Sequence, residues 1–233
     1  MPDPYTADFL ANPLACLGAN AGVLNLQGAD PSTGRPAVRA AASVGAPVPG
    51  GTAFTQSAGV FPRVNVYPVP TPRLPGQPVQ AITLEAANVD QRVRYLPDAP
   101  NALTQMALDP AAEWVFTGPL SGCHVYVATV AGATVLYHVN DNTSADDIPA
   151  NKRIKDRRLK NVLPAGALPT HRLIWWHYRS VDAPFEAFAF GRRVGGNWRF
   201  WYHRVLLAGA ESAHVTAELP PFHPGLAPYW GGL

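Results

Sequence analysis

From Val79 onward the chain is dominated by short runs in which apolar and polar positions alternate. Val79 to Leu84, Gln91 to Leu96, Glu113 to Gly118, Cys123 to Val130, Ala133 to Val139, His171 to Tyr178, Phe185 to Arg192 and Asn197 to Leu207 are such runs. Each is rich in β-branched or aromatic residues and bounded by turn-forming residues, the pattern of a half-buried strand. Ala131-Gly132 and Gly195-Gly196 each separate two runs by two residues, which predicts two tight hairpins. Helical character is confined to Ala145 to Leu163, where Lys152, Arg153, Lys155, Arg157, Arg158 and Lys160 form a basic run. Such a run reads as the solvated face of a helix rather than as a nucleic-acid surface. No internal repeat of fixed period is present. The expectation is an α+β fold: a central β-sandwich of mainly antiparallel strands with a flanking helix and long loops.

The first third differs. Thirteen of the 25 prolines precede Val79, and proline removes a backbone donor and fixes φ. Residues 1–78 therefore read as an extended, loop-rich region with at most short edge strands, packed on or leading into a core formed by residues 79–233. Composition narrows the picture. Hydrophobic residues make up 47% and charged residues 15% of the chain, which argues for a folded globule. A net charge of +2 is too near neutral to predict nucleic acid as a partner. No apolar run approaches the ~20 residues of a membrane helix, so no membrane insertion is expected. The start, Met1-Pro2-Asp3-Pro4-Tyr5, lacks the basic and apolar segments of a signal peptide.

Candidate chemistry centres on Phe116-Thr117-Gly118-Pro119-Leu120-Ser121-Gly122-Cys123 and on His138. A thiol at a turn-to-strand junction, with an imidazole on the next strand, is the minimum apparatus for nucleophilic acyl chemistry. If Ala131-Gly132 is a two-residue loop, paired residues sum to 263 and Val125 lies opposite His138. Cys123 shares a strand face with Val125, so His138 stands diagonal to the thiol within ~7–8 Å. His124 points to the other face and is a poor proton acceptor for Cys123. The plain alternative is that Cys123 is a small core hydrophobe or is disulfide-bonded to Cys16. Two cysteines make no disulfide framework, and nothing has zinc-ligand spacing, so no metal or cofactor is expected. Gly118, Pro119 and Gly122 suit a tight turn. Ser121 lacks a nucleophile elbow and reads as a turn hydroxyl. Asn140 shares the His138 face and is a candidate to steer the ring, whereas Asp141 reads as turn chemistry.

Thr117-Gly118-Pro119-Leu120-Ser121-Gly122-Cys123, with His138 on the following strand, resembles the catalytic motif of bacterial glutamine-deamidase toxins of the cytotoxic necrotizing factor and Burkholderia lethal factor type. The resemblance covers about residues 113 to 141. It implies a deamidase-toxin-like sandwich with a Cys/His site at its edge, and hydrolysis of a glutamine side-chain amide in a host protein. Cys123 would be the nucleophile, His138 its base and Thr117 the hydroxyl that orients His138. Backbone N–H groups of Gly122 and Cys123 would face the oxyanion. The resemblance also implies a monomer secreted without a classical signal peptide and acting in the target-cell cytosol. Two alternatives stand beside it. One is transamidation through the same thioester. The other is a non-catalytic binding module that uses the aromatic clusters Trp175-Trp176-His177-Tyr178 and Trp198 to His203.

Overall fold

The computed structural model describes residues 8–9, 11–19, 93–96, 102–108, 110–117, 120, 122–140, 148–178, 185–206 and 214–233, and the backbone of short strands between residues 22 and 84. In chain order, helix α1 (Pro13–Ala19) is followed by β1 (Gly22–Leu26), β2 (Ala29–Asp30), β3 (Arg35–Pro36), β4 (Ala42–Val44), β5 (Thr52–Gln56), β6 (Val64–Asn65), β7 (Pro68–Val69) and β8 (Val79–Leu84). Then come β9 (Val93–Leu96), β10 (Ala102–Ala107), β11 (Trp114–Thr117), β12 (His124–Val130), β13 (Ala133–Asn140), helix α2 (Ile148–Val162) and β14 (Pro169–Leu173). The one-turn helix α3 (Trp175–Tyr178), β15 (Phe185–Val194), β16 (Asn197–Leu206), β17 (His214–Glu218), a short 3-10 helix (Pro224–Leu226) and α4 (Ala227–Gly231) complete the series.

Two sheets carry the site. One has strand order β14-β12-β13-β10-β5-β4 and the other β17-β16-β15-β11-β9. Pairing is mainly antiparallel; the β10–β5 and β11–β9 pairs are parallel. Period-2 alternation sorts the side chains. Val125, Val127 and Leu136 of the first sheet join Leu96, Val115, Ala187, Ala189, Phe200 and Tyr202 of the second in one buried cluster, the sandwich interior. Small residues on the inner face of β15 make room for the β16 aromatics. At Gly191 a Cβ would come within 2.7 Å of the Phe200 ring and 2.9 Å of Val115.

Both sheets are also covered on their outer faces, so neither shows the polar exterior that alternation alone predicts. On the first sheet Leu103, Tyr126, Ala128, Tyr137 and Val139 pack under Leu159 and Leu163 from α2 and its end, and under Phe222 and Trp230. On the second, Phe9 packs against Trp114, Phe116 and Phe190. The fold is α+β and sandwich-based, as the strand pattern predicts.

Three elements depart from the sequence reading. The proline-rich third contains α1, where Asn12 caps the helix by accepting a 3.3 Å hydrogen bond from Ala15 N–H, and Pro13 takes the first position, where no intrahelical donor is needed. That third also supplies β5, which lies inside the six-stranded sheet rather than at its edge. The run His171 to Tyr178 is not one strand. β14 pairs with β12 only as far as Leu173↔Val125, and from Trp175 the chain coils into α3.

Candidate functional site

Hairpin geometry places the two principal residues. Ala131 (φ 49°) and Gly132 (φ 80°) form the two-residue turn, and the register runs from Val130↔Ala133 to Val125↔His138 and His124↔Val139. The positive φ at both turn residues matches the right-handed strand twist, which fixes this register. Cys123 lies one residue before β12, and the next rung would set it against Asn140 at the end of β13. Cys123 belongs to the interior cluster with Val125, the rung partner of His138. Thiol and imidazole thus share the inner face on a diagonal, both buried, at 4% and 1% exposure. Cys123 and Cys16 are not joined in a disulfide.

Cys123 sits where the chain passes from one sheet to the other. Thr117 ends β11 on the inner face, and its hydroxyl oxygen accepts from Ala189 N–H at 3.1 Å, continuing with a side chain the ladder that stops at Phe116↔Phe190. Leu120 N–H then bonds the Ala187 carbonyl at 2.8 Å. Gly118, Pro119, Ser121 and Asp141 lie outside the described residues.

Gly122 has φ 134°, a conformation open to glycine and strained for any other residue. Three contacts hold it. Tyr178, fully buried, accepts the Gly122 N–H at 3.0 Å and donates to the Cys123 carbonyl at 2.6 Å. Lys155 Nζ donates to the Gly122 carbonyl at 2.6 Å. The expectation that Gly122 N–H faces an oxyanion is therefore corrected: in this conformation that donor is committed to the Tyr178 phenol.

The opposite face of the sheet holds a buried polar network under α2. Asp156 accepts from Tyr126 Oη at 2.6 Å, Arg172 Nε at 3.1 Å and Tyr229 Oη at 2.9 Å, and it is ion-paired with the second Arg172 nitrogen. His124 Nδ1 lies 2.8 Å from Tyr126 Oη. Because Tyr126 gives its only proton to Asp156, its oxygen accepts from Nδ1–H, which leaves His124 Nε2 unprotonated. Burial first, then the charges of Lys155 and Arg172, holds the His124 pKa well below its usual 6.5. Burial and the Asp156 charge raise Tyr126 well above 10 and Tyr229 to about 12. His124 is thus a neutral structural histidine on the face away from Cys123.

The basic run is a solvated face only in part. Lys155, Asp156, Arg158 and Leu159 are buried, whereas Arg153 and Arg157 are exposed and Lys152 and Lys160 half-buried; Arg157 Nε and Lys160 Nζ bond the carbonyls of Leu233 and Gly231 just after and at the end of α4. A signal existed in the sequence. Lys155 and Asp156 lie on the same helical stripe as Leu159 and Leu163, and charged residues inside an apolar stripe mark buried, paired groups. Tyr178 carried no comparable signal, since nothing in His171 to Tyr178 marks the change from strand to turn. Among the described residues no group of three or more His, Cys, Asp or Glu is placed to hold a metal.

No protein-family model and no curated protein matches the chain. Among solved structures, the C-terminal domain of CNFy from Yersinia pseudotuberculosis is similar at 8% sequence identity and a TM-score of 0.32. The match covers 58% of this chain and 66% of that one, just under two thirds of the latter. A likeness at that level carries no argument about activity.

Proposed function

We propose that this protein is a cysteine-dependent glutamine amidohydrolase, a bacterial effector or toxin that converts a glutamine of a host protein to glutamate. The observation that carries the reading is the shared inner face of Cys123 and His138 on one tight hairpin, with the backbone on both sides of the thiol pinned. His138 takes the Cys123 proton and the thiolate adds to the carboxamide carbon. The tetrahedral oxyanion collapses as the imidazolium protonates the amide nitrogen; the C–N bond breaks, ammonia leaves and a thioester remains. Water, deprotonated by His138, then hydrolyses the thioester to glutamate and restores the thiol. In this reading Thr117, on the inner face at the end of β11, would orient His138 through its hydroxyl. Asn140, at the rung position of Cys123, steers the ring or the substrate amide. Admission of an amine in place of water gives the transamidation variant.

One observation favours a different reading. Cys123 and His138 are as buried as their apolar neighbours, which suits a binding module that uses the thiol as a core residue. Such a module would present the exposed Trp176 and the half-buried Lys152 over its ring to a partner. Incubation of a eukaryotic lysate with wild-type or Cys123→Ala protein separates the two. The enzyme reading expects glutamine-to-glutamate mass shifts only with wild type; identical peptide maps from both proteins favour the module.

A further inference from the structure

Lys155 is 2% exposed and donates a hydrogen bond of 2.6 Å to the carbonyl of Gly122. In a trans peptide the C=O and the following N–H point in opposite directions. An ammonium anchored on the Gly122 oxygen therefore also directs the N–H of Cys123, away from α2. Helix α2 covers the outer face of the sheet, so away from α2 means toward the side on which His138 stands. Tyr178 holds the neighbouring Gly122 N–H and Cys123 carbonyl, so neither adjoining peptide is able to swing and undo that orientation. A positive charge on the oxygen end of an amide also polarises it and strengthens its N–H as a donor.

We propose that Lys155 is a positioning residue that fixes and polarises the Gly122–Cys123 peptide, so that the Cys123 N–H stabilises the oxyanion formed when the thiolate adds to a carbonyl. The proposal rests on the nucleophile reading of Cys123. It assigns to the basic helix a task other than surface charge, and it replaces the Gly122 N–H, already engaged by Tyr178, with a donor whose direction is enforced.

Two reactions of the same thiol isolate this role, measured on full-length protein carrying Cys16→Ala. Iodoacetamide alkylates by displacement: the S–C bond forms as iodide leaves, and no oxyanion arises. With p-nitrophenyl acetate the thiolate adds to the ester carbonyl, forms an oxyanion and expels p-nitrophenolate to leave a thioacetyl group. Lys155→Met is expected to slow acylation by about tenfold or more, the scale of a weakened oxyanion donor, while alkylation stays within about twofold. Lys155→Arg, which keeps a charged donor, should recover most of the acylation rate. Equal slowing of both reactions would mean that Lys155 acts on the thiol itself and would overturn the proposal, as would no slowing of either. If circular dichroism shows Lys155→Met unfolded, Lys155→Gln takes its place with the same two deciding outcomes. Wild-type acylation no faster than that of Cys123→Ala would instead remove the nucleophile reading, and this proposal with it.

Discussion

At the scale of single residues, the site depends on a backbone conformation and on a proton that is excluded. Gly122 at φ 134° lets the chain reverse into β12 while its N–H and carbonyl meet Tyr178 and Lys155. Gly122→Ala should cost about 1–3 kcal/mol of stability, the range for a side chain forced into a sparsely populated region, and should displace the thiol. Chemical denaturation read beside the rate of Cys123 alkylation checks both effects; an unchanged midpoint and rate would mean the turn tolerates a Cβ. The excluded proton belongs to His124. Its pKa is depressed in the fold, so below about 6.5 the unfolded chain binds a proton that the native protein does not. Its contribution to stability is complete above that pH and is lost as pH falls toward the native value. Melting temperature should therefore drop between pH 7 and pH 5, and His124→Gln should flatten the decline. His171 and His177, also depressed by burial, leave a residual slope. A slope as steep in His124→Gln as in wild type would contradict the assignment of this proton.

At the scale of elements, α2 and α3 act as two brackets around the nucleophile turn. Helix α2 is anchored through Asp156, which is 0% exposed and compensates the buried Arg172. Asp156→Asn leaves Arg172 without its counter-ion, and breaking such a pair costs about 3–5 kcal/mol. A thermal melt should show a large loss in Asp156→Asn, whereas Arg153→Gln, on the exposed side of the same helix, should melt like wild type; equal melts for all three would show that the pair is not needed. Legibility divides along the same line. The β12–β13 hairpin was readable because Ala131-Gly132 marks the turn between two alternating runs; a two-residue loop, one of the lengths the sequence allows, fixes the register of every rung down to His138, and that is the loop observed. The end of β14 and the α3 turn were not readable, because His171 to Tyr178 contains no glycine or proline to mark the break. β10, with its run Ala102-Leu103-Thr104-Gln105-Met106-Ala107, was not readable either. Its strand state comes from being paired on both sides, by β13 and β5, and not from β-forming residues.

At the scale of the molecule, two sheets covered on both faces place Cys123 and His138 at a crossing between layers, out of water. Burial alone disfavours a thiolate, while an adjacent imidazolium favours it. Which of the two prevails decides whether this pair is a catalytic dyad or part of the core, and the answer is accessible through one rate. The measurement is the pH profile of Cys123 alkylation by iodoacetamide in wild type and in His138→Ala. If His138 draws the proton from Cys123, wild type alkylates rapidly below neutral pH and His138→Ala loses that acid limb, reacting only as an ordinary thiol above about pH 8. Identical, slow profiles in the two proteins would contradict the account, leaving Cys123 as a packed core residue of a binding module.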